Sequence, residues 1–555
     1  MNNYFCYHTH SDLSNGVTNV DSVTKFEEYI DVAKKCGMQA FAFSEHGSVF
    51  EWFHKKEAIE NAGMKYVHSV EAYVTETLEE KIRDNMHCVL MARNYAGFLE
   101  INKLISKSFN RKDNHYYYVP RISMDELFHT SDNIIITTAC VGGILGKGDD
   151  AVQERFLEFI TENKHRCFLE IGHHIDEKQI LYNRRMVDIS EKTGVRLIAG
   201  TDTHSLNEEH ERGRSVLQKS KRIIFDGEEN WDLKFKTYEE LVEAFRVQGS
   251  VPEHLYMEAI QNTNVVADMV EEFQLDTGTK YPHIYENPEE TFYKKVKEAE
   301  MNHPYALKNH SKEELDKVID NEFAVYKATK SIDFMLLQSY LREWERENGI
   351  ECGYGRGSVS GSMIAYLLNI TQMDSLKFGL NFFRFMNPAR VTNADIDTDY
   401  SGKDRDRVKE FLLRDKLNLP NINTAEIITF NTIALKGAIR DIGRALEIPL
   451  SEVSEICSKC DGGEVPDNLK KKYSELFELV DIVNGTIVSV GTHPSGVLIS
   501  DLPIDETVGL CSLSSSEHPV SMLNMKELDA LMYVKLDILG LTLDQVKRGN
   551  MLGTA

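Results

Sequence analysis

The chain has 555 residues, a hydrophobic fraction of 42% and a formal net charge of −25. This length exceeds what one hydrophobic core supports, so it predicts roughly two to four domains. The acidic balance argues against a uniformly basic surface that coats nucleic acid, although a local basic groove stays open. The sequence offers neither an apolar run for a bilayer nor a basic leader, and its nine scattered cysteines are typical of reduced thiols. We therefore expect a cytoplasmic protein.

Short apolar runs alternate with helix-like segments in the first 205 residues. This order favours a parallel sheet, open or closed as a barrel, and ligands at several strand ends would converge at one mouth of it. Imidazole mixed with carboxylate suits zinc, manganese or iron, although any one such residue alone is more often hydrogen-bonded or at the surface. The candidate ligands at the ends of these runs are His8, His10, His46, Glu71, His87, Cys140, Glu170, Asp202 and His204.

These candidates resemble the ligands of the polymerase and histidinol phosphatase family, known as PHP. The resemblance implies a distorted β/α barrel that binds several metals and hydrolyses phosphoesters through a metal-activated water. The chain lacks an evident acidic ligand soon after the His-x-His pair, and Asp12 or Asn15 is the substitute there. The resemblance implies Zn²⁺ or Mn²⁺ at a PHP site formed by His8, His10, His46, Glu71, His87, Cys140, Asp202 and His204.

A glycine- and serine-rich loop, ECGYGRGSVSGS, precedes an apolar helical segment. Glycine lets the backbone approach a ligand closely, and free N–H groups at the start of the following helix would favour an anion such as phosphate. Arg356 adds a positive charge to the loop. No Gly-Lys-Ser/Thr follows, so this is not the phosphate loop of common nucleotide hydrolases, and a plain flexible turn is the alternative.

The segment NADIDTDY places Asp395, Asp397 and Asp399 at alternate positions. In a β-strand all three carboxylates would emerge on one face, and Ile396 and Thr398 would emerge on the other. Like charges in a row destabilise a strand unless they are solvated, paired with cations or bound to a metal. A glycine-serine loop followed by such a strand is the layout of nucleotidyltransferases, in which two metals also need a third carboxylate.

The segment MYVKLDILGL offers that third carboxylate. It reads as a strand with Lys535 and Asp537 on the same face, and Asp537 is the natural candidate. A solvated strand residue is the alternative interpretation of Asp537. His493, in GTHPSGVLIS, is predicted to lie in a turn before a strand at the same site.

The segment FNTIALKGAIRDIGRAL predicts a cationic helix face. Lys436, Arg440 and Arg444 recur at four-residue intervals, which places them on one side of a helix. Asp441 lies off this row, so we expect the three cations to be free to meet phosphates of a nucleotide or primer.

Together these motifs follow the order found in bacterial C-family replicative DNA polymerases. They are the PHP-like ligands, GYGRGSVSGS, RFMNPARV, DIDTD, LKGAIRDIGR, GTHPSG and KLDILGL. The resemblance covers essentially the whole chain and implies an α/β and α+β multidomain fold, with a PHP-type barrel followed by a nucleotidyltransferase-like palm. The implied domains are a PHP-like domain with connector (1–275), a first part of the palm (276–430), a thumb-like helical insertion (431–495) and a second part of the palm (496–555).

The same resemblance implies DNA-directed DNA synthesis by two-metal-ion catalysis, with Mg²⁺ in the palm. The implied catalytic and metal-binding carboxylates are Asp397, Asp399 and Asp537. Asp395 is then a neighbour on the strand rather than a ligand. The implied nucleotide and phosphate contacts are Arg356, Gly357, Ser358, Lys436, Arg440 and Lys535.

The chain ends soon after Asp537, whereas family members continue through fingers, duplex-binding and clamp-binding regions. We therefore expect the amino-terminal part of a split or truncated polymerase that acts on primer-template DNA and deoxynucleoside triphosphates. A second polymerase chain would carry the fingers and clamp-binding regions. Two alternatives stay open: a metal-dependent PHP phosphoesterase or 3′-5′ exonuclease, and a non-catalytic module that binds a replication partner.

Overall fold

The structure is a computed structural model that describes residues 3–223, 231–389, 395–460 and 464–541. The first two residues of NADIDTDY, the last two of RFMNPARV and the segment after Leu541 lie outside the described residues. The chain forms two compact units. The first comprises residues 1–274, 429–491 and 505–515, and the second comprises residues 275–428, 492–504 and 516–555.

The strands of residues 1–274 are short and almost entirely buried. They are β1 (Ala40–Phe41), β2 (Lys65–Tyr66), β3 (Ser69–Thr75), β4 (Met86–Ala92), β5 (Tyr116–Tyr117), β6 (Val119–Ser123), β7 (Ile134–Thr137), β8 (Cys167–Ile171) and β9 (Arg196–Ala199). Seven of them form one sheet in the order β5-β6-β3-β4-β7-β8-β9, and β1 pairs with β2. The expectation of a parallel sheet is wrong for β4, which runs antiparallel to both β3 and β7.

Single-residue bridges complete this arrangement. Among the described residues, the regular ladders of the sheet do not close into a barrel. Isolated parallel bridges instead join Cys6 to Phe41, Thr9 to Thr203 and His46 to Glu71. The predicted α/β architecture is confirmed, and the amino-terminal segment contacts both the β1 side and the β9 side of it.

Helices alternate with these strands, and several of them begin at a residue whose side chain caps the helix. Asn94 accepts from the N–H of Gly97, and Thr237 and Glu240 form a reciprocal capping box. The helices are α1 (Phe26–Lys35), α2 (Trp52–Asn61), α3 (Tyr95–Ser108), α4 (Met124–Phe128), α5 (Ile144–Lys147), α6 (Asp150–Glu162), α7 (Glu177–Thr193), α8 (Glu208–Lys221), α9 (Tyr238–Gln248) and α10 (Glu253–Met269).

Residues 275–428 belong to the second unit and begin with a helical layer. Its longest helices contribute the apolar side chains of a core that also includes strand residues such as Tyr400 and Leu536. The elements are α11 (Pro288–Asn302), α12 (Ala306–Asn309), α13 (Lys312–Ala328), α14 (Ile332–Glu347), α15 (Met363–Leu367), β10 (Asp397–Ser401), α16 (Gly402–Leu413) and β11 (Asn423–Thr432), the last of which continues into the first unit.

The segment 429–491 returns to the first unit as a helical cluster. Its apolar residues share one core with Val20, Val23 and Leu217 of that unit. The described elements from this point are α17 (Leu435–Ala445), α18 (Leu450–Lys459), α19 (Asp467–Lys472), α20 (Ser474–Val483), β12 (Ile487–Ser500), α21 (Ile504–Thr507), β13 (Leu510–Cys511), β14 (Val520–Asn524), α22 (Met525–Ala530) and β15 (Val534–Leu541). The prediction that His493 lies in a turn is wrong, because β12 runs through it.

The sheet of the second unit sets the aspartate row beside the segment KLDILGL. Its six strands follow the order β10-β15-β12-β11-β14-β13. Strand β10 pairs in parallel with β15 so that Asp397 lies opposite Asp537, whereas β12 runs antiparallel to β15. None of the described helices combines the length and the apolar character that crossing a membrane would require.

Candidate metal sites

Buried imidazoles and carboxylates gather in the first unit. They form three overlapping groups in which the potential ligand atoms all lie within 4.8 Å of one another. The donors are histidine nitrogens and carboxylate oxygens, with one cysteine sulfur, a set that suits zinc or manganese better than calcium. The groups are His10, Asp21, His46 and His204; His8, His10 and Glu71; and Glu71, His87 and Cys140.

Glu71 is the carboxylate that two of these three groups share. It lies in β3 and is bridged to His46 by a single parallel pair. Its Oε1 lies 2.8 Å from Nδ1 of His87, and its Oε2 lies 2.9 Å from Nδ1 of His46. Asp202 lies beside the same centre, with Oδ1 3.3 Å from Nε2 of His8. The structure thus brings all eight predicted PHP residues together, and their binding of metal stays a prediction.

The cluster fits a bound cation because many of its polar atoms are buried without a hydrogen bond. Buried polar atoms are nearly always paired, since an unpaired one costs about 1–3 kcal/mol. A cation would satisfy nitrogen lone pairs and carboxylate oxygens at the same time. The atoms in question are Nε2 of His8, Nε2 of His10, Oδ2 of Asp21, Nδ1 of His46, and Oε1 and Oε2 of Glu71.

Electrostatics keep the acids of this cluster ionised. Burial alone would raise the pKa of Glu71, but the neighbouring imidazoles, first that of His87, hold it well below its usual range. Burial would likewise raise the pKa of Asp21, but the neighbouring imidazoles, first that of His204, hold it well below its usual range. Burial lowers the pKa of His204 itself to about 4, and the carboxylate of Asp21 opposes this shift.

Glu170 supports the cluster without belonging to its ligand groups. Its Oε1 lies 2.7 Å from Nδ1 of His8, and its Oε2 accepts hydrogen bonds from Tyr7 and Thr137. An N–H donated from Nδ1 leaves Nε2 of His8 as the nitrogen that faces the cluster. The expectation that Glu170 is itself a ligand is therefore wrong, because its oxygens are used to orient His8.

Asp21 is the residue that the sequence did not reveal. It joins His46 and His204 as the acidic member expected after the His-x-His pair, with Oδ2 3.4 Å from Nε2 of each. The prediction that Asp12 or Asn15 takes this place is wrong, because both side chains form other hydrogen bonds. Asp12 accepts from the N–H of Ile487 at 2.9 Å, and Asn15 accepts from the N–H of Asp21 itself at 2.6 Å.

A cavity of about 790 Å³ opens over the metal-ligand cluster. This volume falls in the range of small-molecule and cofactor sites, roughly 300–1,000 Å³. Aromatic walls come from Tyr73, Tyr182 and Trp231, and Lys147 and Lys178 also line it. The cavity therefore offers access to the cluster together with positive charge for an anionic substrate.

A second carboxylate group lies in the second unit. Oxygens of Asp395, Asp397 and Asp537 lie within 4.8 Å of one another. The parallel pairing of β10 with β15 produces this meeting, since Asp397 lies opposite Asp537. An all-oxygen set of this kind suits a hard divalent cation such as Mg²⁺.

Asp399 occupies a different environment from the one predicted. Its Oδ1 accepts a hydrogen bond from Nη1 of Arg356 at 3.0 Å, and Nε of Arg356 lies 3.5 Å from Asp397. Asp395, expected to be only a neighbour, takes the place of Asp399 in the described three-carboxylate group. The assignment of Asp399 as a metal ligand stays a prediction.

Lys535 is the cation beside the three carboxylates. Its Nζ lies 3.7 Å from Asp537 and 3.6 Å from Asp529. Burial lowers the pKa of Lys535, but the carboxylates of Asp529, Asp537 and Asp395 raise it, so the ammonium stays charged. A fixed positive charge here limits the repulsion among the aspartates.

His493 contacts the same region from β12. Burial lowers the pKa of His493, and its neutral Nδ1 accepts from the N–H of Gly496 at 3.0 Å. The hydroxyl of Ser495 donates to Asp537 at 3.4 Å. The ring thus fixes the backbone that carries a hydrogen-bond donor for Asp537.

The glycine-serine loop lies against the aspartate strand. The N–H of Gly353 donates to the carbonyl of Asp399 at 2.9 Å. Gly355 has a φ of +134°, and a Cβ there would meet Thr371 Oγ1 at 2.3 Å, so only glycine fits. Gly357 and Ser358, the predicted phosphate contacts, are exposed.

The helix after this loop does not present free N–H groups. Helix α15 is only five residues long, and the N–H groups of Met363 and Ile364 donate to the carboxylate of Glu322 at 2.7 and 3.0 Å. The prediction of an anion site at this helix start is therefore wrong. A carboxylate of the protein already occupies it.

The cationic helix face is α17 and belongs to the first unit. Lys436 and Arg440 are exposed there. The prediction of three free cations is wrong for Arg444, which lies 3.6 Å from Asp441 because an i, i+3 pair shares a helix side. Asp441 also pairs with Lys221 at 2.6 Å.

Two family models match separate parts of the chain. Residues 7–174 match the PHP domain, and residues 289–540 match the bacterial DNA polymerase III alpha NTPase domain. The first range contains most of the imidazole and carboxylate cluster, and the second contains the three aspartates. The chain resembles the amino-terminal half of a DNA polymerase III alpha subunit.

Curated DNA polymerase III alpha subunits align with nearly the whole chain. The protein of Borreliella burgdorferi is 29% identical over 98% of this chain and 49% of its own length. Those of Aquifex aeolicus and Treponema pallidum are each 27% identical, over 97% and 98% of this chain and 51% and 48% of their own lengths. The chain thus spans about half the length of the polymerase III alpha relatives it matches.

Proposed function

We propose that this chain supplies the catalytic centre of a DNA-directed DNA polymerase that transfers nucleotides by two-metal-ion catalysis. The observation that carries the proposal is the convergence of Asp397 and Asp537, on two neighbouring parallel strands, with Asp395 just before the first of them. Similarity to DNA polymerase III alpha subunits over nearly the whole chain supports it.

The chain's own residues would hold and orient the reactants. Asp397 and Asp537, with Asp395 or Asp399, would hold Mg²⁺, which when bound activates the attacking hydroxyl and neutralises the leaving pyrophosphate. Lys535 places a positive charge beside these carboxylates. Arg356 currently pairs with Asp399, so the arrival of a triphosphate would offer its guanidinium a second anionic partner.

The substrates in this proposal are primer-template DNA and deoxynucleoside triphosphates. The exposed loop residues Gly357 and Ser358 would contact the triphosphate, and Lys436 and Arg440 would contact DNA or nucleotide phosphates. The polymerase III alpha relatives extend well beyond the matched half. The proposal also includes regions equivalent to the fingers and the clamp-binding region, and a cytoplasmic site of action.

Primer extension with Mg²⁺ tests the proposal, using the chain together with any second polymerase chain that co-purifies. We expect Asp397→Asn and Asp537→Asn to reduce synthesis by at least about 100-fold, because each removes a metal ligand. Asp406→Asn, at an exposed position of the same unit, is the matched control and should leave synthesis unchanged. Equal synthesis by wild type and Asp397→Asn would refute the proposal.

Substitution of the other two aspartates assigns the third carboxylate. If Asp395 completes the metal site, Asp395→Asn should reduce synthesis as strongly as Asp397→Asn. If Asp399 completes it after Arg356 moves to the triphosphate, Asp399→Asn should have the larger effect. This comparison distinguishes the group that meets in the structure, which contains Asp395, from the group that the sequence resemblance implies, which contains Asp399.

A second function, phosphoester hydrolysis at the PHP site, is favoured by the cavity over the imidazole and carboxylate cluster. We propose that Zn²⁺ or Mn²⁺ binds there and that the substrate is a phosphoester, including a 3′ end of DNA. His8→Ala should abolish hydrolysis, whereas Asp397→Asn should remove only nucleotide addition. If neither change alters any biological effect, the chain is a non-catalytic module that binds a replication partner.

A further inference from the structure

A buried glutamate of helix α13 forms hydrogen bonds with the end of the glycine-serine loop. Glu322 is 3% exposed, and its carboxylate accepts three hydrogen bonds from the junction between the loop and α15. The donors are the hydroxyl of Ser362 at 2.7 Å, the N–H of Met363 at 2.7 Å and the N–H of Ile364 at 3.0 Å. The four residues belong to the second unit, and the contact is long-range in sequence.

Ser362 forms further hydrogen bonds at this junction. Its Oγ also accepts from the N–H of Ala365 at 3.0 Å and lies 2.7 Å from the hydroxyl of Tyr326. Tyr326 is itself fully buried, one turn after Glu322 on α13. Helix α13 therefore contacts the hydroxyl of Ser362 and the N–H groups of Met363 and Ile364 at once, which leaves the loop end little freedom to shift.

The charge of Glu322 is compensated by these donors and not by a cation. Among the described residues, no lysine, arginine or histidine forms an ion pair with it. Burial raises the pKa of Glu322 to about 7, and the hydrogen bonds from Ile364, Met363 and Ser362 oppose that rise. A hydrophobic residue in its place would leave the hydroxyl of Ser362 and the N–H groups of Met363 and Ile364 without this acceptor, so the carboxyl group is what ties the loop end to α13.

The carboxyl end of the loop is closely packed. The turn Gly357–Gly361 ends at Ser362, whose N–H donates to the carbonyl of Val359 at 3.0 Å. A Cβ on Gly361 would meet the carbonyl oxygen of Asn381 at 2.7 Å. A displacement of Ser362 would therefore be transmitted to the exposed residues Gly357 and Ser358.

We propose that Glu322 is a positioning residue that fixes the carboxyl end of the glycine-serine loop and thereby holds Gly357 and Ser358 in place for a nucleoside triphosphate. The triphosphate part of this inference rests on the proposed polymerase function. Glu322 itself touches neither substrate nor metal in it. Its effect passes entirely through Ser362 and the backbone of α15.

Amide hydrogen exchange of the full chain tests the anchoring directly. Glu322→Gln keeps the side-chain volume but replaces the carboxylate that faces three donors with a carboxamide. In this variant the backbone N–H groups of Met363 and Ile364 should exchange roughly 10- to 100-fold faster. Ser362→Ala removes one donor and should give a smaller increase. Glu300→Gln, at a buried glutamate of α11 in the same unit, is the matched control and should leave these amides unchanged. Unchanged exchange in Glu322→Gln overturns the proposal.

Primer extension then tests the role in nucleotide binding. We expect Glu322→Gln to raise the KM for the deoxynucleoside triphosphate about tenfold while kcat changes little, and Glu322→Asp to recover part of the loss. An unchanged KM with active enzyme overturns the positioning role alone. Absence of Mg²⁺-dependent synthesis in wild type instead refutes the proposed polymerase function, and the exchange measurement still decides whether Glu322 anchors the loop.

Discussion

Asp21 completes the group of imidazoles formed by His10, His46 and His204. A 3-10 turn at Asp12–Gly16 follows the His-x-His pair and delays the acidic residue beyond the position where a sequence pattern would seek it. The turn is held by Glu45, which accepts hydrogen bonds from the hydroxyls of Ser11 and Ser14. The carboxylate of Asp21 is therefore brought into place by side-chain hydrogen bonds that spacing alone does not reveal.

Substitution of Asp21 should lower the metal content of the first unit. We expect Asp21→Asn to weaken binding at one of the three ligand groups by on the order of 100-fold, because an amide is a poorer ligand than a carboxylate. Metal content after dialysis, measured by mass spectrometry, gives the result. Asp12→Asn is the control from the same turn and should retain all of the metal. Equal losses in both variants would contradict the role of Asp21.

Glu322 should make the stability of the second unit depend on pH. Burial raises its pKa from the usual 4.5 to about 7, so between these values the folded state holds a proton that the unfolded state has released. Stability rises with pH only where the unfolded state binds more protons, so the free energy of unfolding should fall as pH rises through this window. Glu322→Gln should remove that dependence. Urea unfolding at about pH 5 and pH 7 measures it, and identical pH dependence in both proteins would contradict the prediction.

At the scale of the element, strand β10 has two faces with different tasks. Asp397 and Asp399 emerge on one face, while Thr398 and Tyr400 are buried on the other. Arg342 of α14 donates to the hydroxyl of Tyr400 at 2.7 Å. The alternation of the sequence predicted the two faces correctly, because side-chain direction in a strand has a period of two.

The sequence could not predict which aspartates meet Asp537. That outcome depends on the register of β10 against β15 and on Arg356, which lies 43 residues before Asp399 and pairs with it. Likewise, the free N–H groups predicted at α15 are taken by Glu322, which precedes them by 41 and 42 residues. Local patterns specify strands and faces, whereas partners distant in sequence decide which charges stay available.

The buried ion pair beneath the aspartate strand should be essential for its stability. Glu345 lies 2.7 Å from Nη1 of Arg342 and accepts from the hydroxyl of Tyr400. Glu345→Ala would leave the Arg342 charge buried without its partner, and we expect a loss of about 3–5 kcal/mol in the unfolding free energy. Lys294→Ala, which breaks the exposed pair with Glu298 in the same unit, should change it by about 0.3–0.5 kcal/mol. Losses of similar size in urea unfolding would contradict this assignment.

At the scale of the whole molecule, the sequence predicted the α/β class of the fold and most of the residues that gather in the first unit's cluster. Short apolar runs that end in polar residues allowed this prediction, because side chains from successive strand ends converge. The sequence did not indicate that residues 429–491 would share a core with Val20, Val23 and Leu217. The spacing of apolar residues along a helix indicates that one face is buried. It does not indicate which other residues cover that face.

Removal of metal should destabilise the first unit specifically. Its buried imidazoles and carboxylates come together only in the folded state, so a metal bound there at 100 times its dissociation constant would add about 2.7 kcal/mol to the unfolding free energy. Hydrogen exchange of β3 and β9 with Mn²⁺ or with EDTA gives the measurement. His46→Ala is the control and should respond less to the metal. Identical exchange with Mn²⁺ and with EDTA would show that the cluster does not bind metal.

The polypeptide crosses between its two compact units five times, with β11 and β12 each running through a crossing. No single cut can therefore release either unit as one intact fragment. Cleavage between residues 274 and 275 would leave residues 429–491 on the carboxyl-terminal piece, although their apolar side chains complete a core with the amino-terminal piece. The fragments should co-elute under native conditions and separate only in denaturant. Evolution could likewise divide this chain into two genes only where both products assemble together.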